Sequence, residues 1–337
     1  MFPSSIQTEE AIAQARSAAA TFLGATAEDL TFGPNMTSLN FSLSRTAARD
    51  WRAGDEVVVT RLDHDANISP WLAIAEDLGV VVRFAALEGK RRIDLDHLRS
   101  LISSRTKVIA FPLASNAVGT IPPATEIIRM AHHAGALSWV DAVHYAPHQP
   151  IDVSGLECDV LLCSPYKFFG PHLGIAWVRR EVADGWRPYK VRPASDPGQR
   201  FDSGTQPHEL LCGLTAAVEY LQQVGWDAVP RQEHMLGELF LAGLESTGWQ
   251  LHGPPTMARR VATFSVSPVG ERPEAAARRL ASDGFAVTHG SFYAVEVFGH
   301  LGLPEGAVRI GILHTNTGPR SKACWRRSRA SPPSRDA

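Results

Sequence analysis

The feature that most constrains the fold of this chain is a series of short apolar runs that alternate with helical stretches. Five runs predict strands without polar alternation: 56–60 (EVVVT), 80–84 (VVVRF), 107–111 (KVIAF), 137–140 (LSWV) and 160–163 (VLLC). Strands that are apolar along their whole length are buried on both faces, which is typical of a mostly parallel sheet covered by helices. The pattern predicts an α/β fold whose ligand lies at the carboxyl ends of the strands.

The flanking segments predict a second, smaller unit. Helical spacing of apolar residues over 8–24 predicts an amphipathic helix, and a short strand at 30–32 precedes a helical run at 38–51. After about residue 223 the pattern predicts a small α/β domain, with strands at 260–266, 285–288 and 308–313 and a helix near 273–283. We therefore predict a large domain over 1–223, to which the first helix belongs unless it packs on the small one. A small domain follows over 224–317, and a basic, Ser/Pro-rich tail over 318–337 is predicted to be disordered.

Composition narrows the class of function. A net charge of -2 over 337 residues offers no field for gathering nucleic acid or anionic lipid, so a small-molecule site is favoured. The four cysteines lack paired spacing, which predicts a reducing compartment. No signal-peptide pattern is visible, and no apolar run approaches the roughly 20 residues that span a bilayer. We expect a cytoplasmic protein.

Lys167 is the most informative candidate residue. It follows the buried strand 160–163 in the stretch CSPYKFFGPHLG, among aromatic residues and glycines. A lysine that is partly withdrawn from water has a lowered pKa, and its free amine can condense with an aldehyde. Taken alone, it is more often a loop lysine that reaches solvent.

Other strand ends carry polar groups that suit one aromatic ligand. Asp141 ends the strand SWVD, where a carboxylate could keep a pyridine nitrogen protonated, or could simply cap a turn. Asn116, His64 and His144 follow or flank strands at the same predicted edge, and each could instead be an ordinary loop residue. The stretch GPNMT, which ends at Thr37, opens a helix and could cradle a phosphate, although the same residues are also common turn and N-cap chemistry.

Taken together, these segments resemble the class V aminotransferase family of fold-type I pyridoxal 5'-phosphate (PLP) enzymes, and more narrowly its cysteine desulfurase-like branch. The resemblance covers about residues 8–317. It is carried by six motifs in the family's order: DHDANISPW, ASNAVGTIPP, WVDAVHYAPHQPIDV, CSPYKFFGPHLG, RFDSGTQPHE and VRIGILHTNT.

The resemblance implies a role for each matched residue. Lys167 would be the catalytic Schiff-base lysine, Asp141 would lie at the pyridine nitrogen, and His64 would stack on the ring and take part in catalysis. Arg309 would bind the substrate carboxylate through a bidentate fork. A homodimer is implied, because the Thr205 of such a chain reaches the cofactor of the partner. Thr37, Ser164 and Thr205 would serve the phosphate, and Asn116 and His144 would lie near the phenolic oxygen. The remaining cofactor-binding residues would be Asn35, Met36 and Tyr166.

Some features depart from the family pattern. True cysteine desulfurases attack sulfur with a cysteine on a small-domain loop, and the stretch 287–294 (VTHGSFYA) contains none. His289, Ser291 and Tyr293 lie there, with no role assigned. We also expect the chain to lack an N-terminal segment and a C-terminal helix that family members carry.

Three readings of function follow. The leading one is a PLP-dependent enzyme acting on an amino acid, a carbon-sulfur lyase or a desulfurase without the usual cysteine, with no metal. The second is a non-catalytic or impaired remnant of the PLP fold. The third and weakest is a metal-dependent hydrolase, whose candidate ligands would be Asp63, His64, Asp65, Asp141, His144 and His148.

Overall fold

The computed structural model describes residues 2–89, 91–192, 199–319 and 323–324. The strands, in chain order, are β1 Leu30–Gly33, β2 Glu56–Thr60, β3 Val81–Ala85, β4 Leu87–Glu88, β5 Arg92–Ile93, β6 Thr106–Pro112, β7 Leu137–Asp141, β8 Val160–Cys163, β9 Gly174–Val178, β10 Gln250–His252, β11 Thr263–Ser267, β12 Thr288–Gly290 and β13 Ala307–Gly311. The α-helices are α1 Pro3–Leu23, α2 Met36–Ala47, α3 Ser69–Leu78, α4 Leu95–Leu101, α5 Ala124–His133, α6 Val153–Leu156, α7 Arg180–Asp184, α8 His208–Val224, α9 Ala228–Leu244, α10 Pro273–Ser282 and α11 Val295–Leu301.

The main sheet has seven strands in the order β1-β9-β8-β7-β6-β2-β3. The pairs from β3 through β2, β6 and β7 to β8 are all parallel, whereas β9 pairs antiparallel with both β8 and β1. Every residue of β2, β8 and β9 is buried, because helices cover both faces of the sheet. The predicted α/β fold with a mostly parallel sheet is therefore confirmed.

Helices pack on the two faces of this sheet and form two apolar cores. One core contains buried residues of α1, α8 and α11, including Phe22, Leu214 and Val297, together with Phe111 of β6. The other lies under α2 and α3 and contains Trp71 and Trp139. Helix α1 lies along α8, and Gly24 ends it in the left-handed conformation, with φ of 62°.

A smaller antiparallel sheet has the order β10-β11-β13-β12 and is covered by α9 and α10. The prediction of a strand at 285–288 was wrong, because the segment that pairs with β13 is Thr288–Gly290. Phe285 and Val287 instead pack, partly buried, against the apolar core of the smaller sheet. The exact division into domains at residue 223 stays a prediction, since α11 packs into the core of the main sheet.

Arg260 connects the two sheets. Its guanidinium is 3 % exposed and donates to the carbonyl oxygens of Val118 at 3.2 Å, Thr263 at 2.6 Å and Pro254. None of these acceptors is charged, and burial lowers the pKa of Arg260 to about 9. The cation is therefore held by backbone dipoles from both the loop after β6 and the start of the smaller sheet.

Most of the predicted tail, 318–337, lies outside the described residues. Within it, Cys324 is described, and its side chain is buried against the core of the smaller sheet. Along the described parts of the chain, no helix combines the length and apolar character needed to cross a membrane.

Candidate active site

A buried polar network fixes the loop that carries His64. Asp63 directly precedes it and accepts hydrogen bonds from Asn67 Nδ2 at 2.7 Å and from the Thr60 hydroxyl. Asn40 of α2 donates to Asn67 Oδ1 at 3.2 Å and accepts from Trp139 Nε1 at 2.9 Å. All five side chains are buried, so each hydrogen bond is made where no water can replace it.

His64 is half-buried at the end of this loop. Its Nδ1 accepts the backbone N–H of Ala66 at 3.0 Å, so the ring proton lies on Nε2. Burial, reinforced by the charge of Lys167, lowers the pKa of His64 to about 4. The ring is therefore neutral at pH 7 and offers an uncharged aromatic face.

Lys167 and Asp141 lie near enough for the charge of each to shift the pKa of the other. The side chain of Lys167 reaches solvent, yet the surrounding atoms and the charge of Arg309 lower its pKa, while Asp141 acts in the opposite direction. Asp141 is 5 % exposed and accepts one hydrogen bond, from Val143 N–H at 2.8 Å. Burial raises the pKa of Asp141 to about 6, and the charge of Lys167 limits this rise. The Lys167 amine and the buried Asp141 carboxyl therefore influence each other electrostatically.

The N-terminus of α2 forms a small cradle beside β9. The Asn35 side chain accepts Ser38 N–H at 2.8 Å, and Met36 N–H donates to Ser164 Oγ at 3.1 Å. Both groups are therefore already used, and the Met36 side chain is buried. Within the described residues, the N–H and hydroxyl of Thr37 have no hydrogen-bond partner, and Ser164, acting as an acceptor, keeps its own O–H proton to donate. Thr37 and Ser164, two of the three residues predicted to serve the phosphate, thus keep donors available at this cradle.

Gly174, which the sequence reading did not single out, is required by this cradle. A β-carbon at Gly174 would lie 2.3 Å from the carbonyl carbon of Asn35 and 2.8 Å from Met36 N. No side chain fits in that gap, so the glycine lets β9 approach the first turn of α2. The glycine at the end of CSPYKFFGPHLG was the signal in the sequence, although a single glycine before an apolar run is too common to be decisive.

Arg309 lies on β13, and its charge lowers the pKa values of both Lys167 and His64. Its guanidinium donates to the Asn116 carbonyl at 3.0 Å and lies 4.2 Å from the ring centroid of Phe292. Within the described residues it forms no ion pair, and burial lowers its pKa. The Asn116 side chain donates to the Phe292 carbonyl at 2.8 Å, and its Oδ1 is buried without a protein partner. The Arg309 cation, which has no acid partner among the described residues, and the Asn116 oxygen, which has no donor there, are both suited to bind a polar ligand.

His144 and His148 belong to a second hydrogen-bonded chain. His144 Nε2 contacts the Thr263 hydroxyl at 2.9 Å, and the rings of the two histidines lie 5.4 Å apart. His148 Nδ1 pairs with the buried carboxylate of Glu233 at 2.7 Å. Burial lowers the pKa of His144 well below its usual value. Because Asp63 and His148 are each satisfied by other partners, the described residues do not gather three ligands for a metal ion, and the hydrolase reading is not supported.

Two predicted cofactor-binding residues, Thr205 and Tyr166, are more accessible to solvent than Asp141. Thr205 is exposed, and the segment before it is anchored by Asp202, which pairs with Arg16 of α1 at 3.2 Å. Tyr166 is half-buried, stacks on His172 with ring centroids 5.3 Å apart, and has its ring centroid 5.2 Å from Lys167 Nζ.

The comparisons with known proteins decide the family. The family described as aminotransferase class-V matches residues 2–319. The chain belongs to the class V aminotransferase family. It is 32% identical to a cysteine desulfurase of Synechococcus elongatus over 92% of its own length and 52% of that protein. It is 33% identical to a probable cysteine desulfurase 2 of Mycobacterium leprae over 82% of its length and 70% of that relative.

Solved structures agree with this assignment. The apo structure of a cysteine desulfurase from Thermococcus onnurineus NA1 superposes with a TM-score of 0.92 at 25% identity, covering 97% of this chain and 84% of the other. The predicted fold-type I architecture and the desulfurase-like branch are thereby confirmed. The chain spans about half the length of the Synechococcus relative.

The cofactor of this member of the class V aminotransferase family is pyridoxal 5'-phosphate, and the site fits it. The fit is seen in the cradle that Gly174 keeps free of side chains, in the Asn116 oxygen that is buried without a donor among the described residues, and in a buried Asp141 whose charge acts on Lys167. The role of each individual residue toward the cofactor remains a proposal.

Proposed function

We propose that this chain is a PLP-dependent enzyme that cleaves the carbon-sulfur bond of a sulfur-containing amino acid. The proposal is supported by four neighbouring groups whose charges act on one another: Lys167 and Asp141 shift each other's pKa, and the charges of Lys167 and Arg309 both lower the pKa of His64. They supply an amine, an acid, a neutral ring and a cation. When bound, the coenzyme supplies an electron-withdrawing ring that stabilises negative charge at the α-carbon of an amino acid.

Each residue has a distinct part in holding the coenzyme. Lys167 would attach to its aldehyde, and Asp141 would accept a hydrogen bond from the ring nitrogen. Thr37 and Ser164 would donate to the phosphate, and His64 would cover one ring face, as its neutral state allows. Asn116 Oδ1 and His144 would lie near the phenolic oxygen. Tyr166 would border the site beside Lys167, whereas Asn35 and Met36 would support it through α2.

Arg309 and Lys167 would handle the substrate. The Arg309 guanidinium has no acid partner among the described residues, so a substrate carboxylate could form both hydrogen bonds of its fork. The lowered pKa of Lys167 increases the fraction of free amine near neutral pH. A free amine can take the proton from the α-carbon and return it later.

The positions of the cysteines favour elimination at the β-carbon over transfer of sulfur to a protein thiol. The stretch 287–294 contains no cysteine, and burial raises the pKa of Cys158 to about 12 and also raises that of Cys163. Buried thiols with raised pKa values are poor nucleophiles. Cys212 is the exposed thiol of the described chain, and it is the residue to test if sulfur transfer is observed.

Assembly and location belong to the same proposal. Thr205 is exposed and follows Gly204, where a β-carbon would meet nothing within 4 Å, so this segment is open for a second copy. We propose a homodimer in which Thr205 reaches the cofactor of the partner. The proposed compartment is the cytoplasm, in accordance with the cysteine pattern of the sequence.

The test is a visible absorption spectrum of the purified chain with added coenzyme, before and after borohydride. Wild-type protein should be yellow, and reduction should fix the coenzyme to the chain through denaturation. Lys167→Ala should lose that covalent retention, whereas Lys107→Ala should keep it, because Lys107 pairs with Asp55 at the opposite end of the strands. Covalent retention in Lys167→Ala would contradict the proposal.

Product analysis then defines the reaction. L-cysteine and its S-conjugates should yield pyruvate with sulfide or a thiol. Alanine with transferred sulfur that disappears in Cys212→Ser would instead indicate desulfuration. Keto acid from L-alanine would indicate transamination.

A further inference from the structure

The turn that follows β12 has an unusual backbone. Phe292 and Tyr293 are consecutive residues with φ of 54° and 56°, in the left-handed region that favours glycine. This conformation is unfavourable for a residue that carries a side chain, so the surrounding structure must hold the turn in place. A rigid, strained turn beside an active site calls for a functional explanation.

Three contacts hold this turn, and all come from segments of the active site. Asn116 Nδ2 donates to the Phe292 carbonyl at 2.8 Å, and Asp65 N–H donates to the Tyr293 carbonyl at 2.7 Å. The Arg309 guanidinium lies 4.2 Å from the Phe292 ring centroid. The position of the turn is therefore fixed relative to His64, Asn116 and Arg309.

The anchored turn presents the Tyr293 ring beside His64. Tyr293 is 73% exposed, and its ring centroid lies 5.6 Å from that of His64 at an interplanar angle of 39°. Most of the ring therefore has no protein covering. An aromatic ring that is carried on an anchored backbone and is open to water is suited to contact an apolar or sulfur-bearing group of a ligand.

The chain order of the turn indicates which part of the substrate meets this ring. A carboxylate bound by Arg309 would lie beside Phe292, since the guanidinium stacks there. Tyr293 is the next residue and extends toward His64. An amino acid anchored at Arg309 thus has the Tyr293 ring within reach of its side chain.

We propose that Tyr293 determines substrate specificity by contacting the sulfur substituent of an S-substituted L-cysteine, so that aryl or alkyl conjugates are preferred over free L-cysteine. This inference rests on the proposed function. In the reaction the α-proton passes to the Lys167 amine and the Cβ–S bond breaks, with the electron pair leaving on sulfur. The sulfur takes up a proton and departs as a thiol, and one water converts the remainder to pyruvate and ammonia, so no oxidant or reductant is needed.

The experiment compares kcat and KM of coenzyme-loaded wild type, Tyr293→Ala and Tyr293→Phe on L-cysteine, S-methyl-L-cysteine and S-benzyl-L-cysteine. Wild type should prefer the benzyl conjugate. Tyr293→Ala should lower kcat/KM for that conjugate roughly five- to tenfold, mainly through KM, with less than about a twofold change for L-cysteine. Tyr293→Phe, which keeps the ring, should behave as wild type.

The variants are chosen to separate contact from folding. Alanine retains the β-carbon, so the backbone strain at position 293 is unchanged, and the side chain is exposed in any case. Tyr189→Ala is the matched control, because Tyr189 is an exposed tyrosine that packs on Arg49, and its kinetics should equal those of wild type.

The outcomes distinguish the two proposals. An unchanged KM for the benzyl conjugate in Tyr293→Ala, an equal loss on all three substrates, or a loss in Tyr293→Phe as large as in Tyr293→Ala would overturn the specificity role and leave the proposed function standing. Coenzyme-loaded wild type that releases neither pyruvate nor thiol from any of the substrates would overturn both.

Discussion

Replacing Asp141 with asparagine is expected to stabilise the coenzyme-free protein and to weaken its hold on the coenzyme. Asp141 is 5 % exposed and accepts one hydrogen bond from a backbone N–H, which an asparagine oxygen can also accept. What the substitution removes is a negative charge that has little compensation until a protonated ring nitrogen arrives. The Asp141 carboxylate thus favours coenzyme binding and lowers the stability of the coenzyme-free protein.

The magnitude follows from the pKa of Asp141. Burial raises it from the ordinary value of 3.8 to about 6, roughly two units, and each unit corresponds to about 1.36 kcal/mol. Because the folded state holds its proton more tightly, this group lowers stability as pH rises through 4 to 6, and above pH 6 its full cost is about 3 kcal/mol. At pH 5 the cost is only about 1.5 kcal/mol, since the folded carboxyl is still mostly protonated.

Urea unfolding of the coenzyme-free proteins measures this effect. The free energy of unfolding of Asp141→Asn should exceed that of wild type, and the gap should widen by about 1 to 1.5 kcal/mol from pH 5 to pH 8. Glu219→Gln, at an exposed position inside α8 without an ion pair among the described residues, should show no gap at either pH. Coenzyme affinity of Asp141→Asn should fall roughly ten- to hundredfold. A gap that does not change with pH, or a wild type that is the more stable protein at pH 8, would refute the reasoning.

Further predictions concern the cradle, the substrate cation and the buried network. Ser164→Ala should raise the coenzyme dissociation constant about tenfold in a fluorescence titration, because Met36 N–H loses its acceptor and the phosphate loses a donor. Arg309→Lys should raise KM at least about tenfold with a smaller change in kcat, because a lysine cannot form the bidentate fork; equal KM values would argue against carboxylate binding there. Asn40→Ala should lower the free energy of unfolding by about 2–4 kcal/mol in urea, since Trp139 Nε1 is left buried without an acceptor, and a loss below about 0.5 kcal/mol would contradict this account.

The main sheet was predictable where burial alone sets the pattern. The runs at 56–60, 107–111 and 160–163 lie in strands, because a strand that is covered on both faces consists mostly of apolar residues. Strand β9 was missed, although it is equally apolar, because an apolar run alone does not identify a short strand or its direction. The strand predicted at 285–288 lies instead at Thr288–Gly290, because those residues pair with β13. The apolar Phe285 packs against the core of the smaller sheet.

The active site was predictable in its residue types but not in its supports. Lys167, Asp141 and His64 could be identified because the carboxyl ends of parallel strands meet at one edge. The contact between Asn40 and Trp139 joins residues 99 positions apart, and no periodicity encodes it. Nor does any glycine mark the left-handed turn at Phe292 and Tyr293, since its backbone is held by distant partners.

Arg260 has a consequence for how substrates reach the site. A rotation of the smaller sheet away from the loop after β6 would separate the Arg260 guanidinium from the Val118 carbonyl. The buried cation would then lose one of its hydrogen-bond acceptors. Each hydrogen bond to a charged group that is lost in this way costs about 1.5–3 kcal/mol. Amino acids are therefore expected to reach Lys167 by a local shift of the Tyr293 side chain while the two sheets keep their mutual orientation.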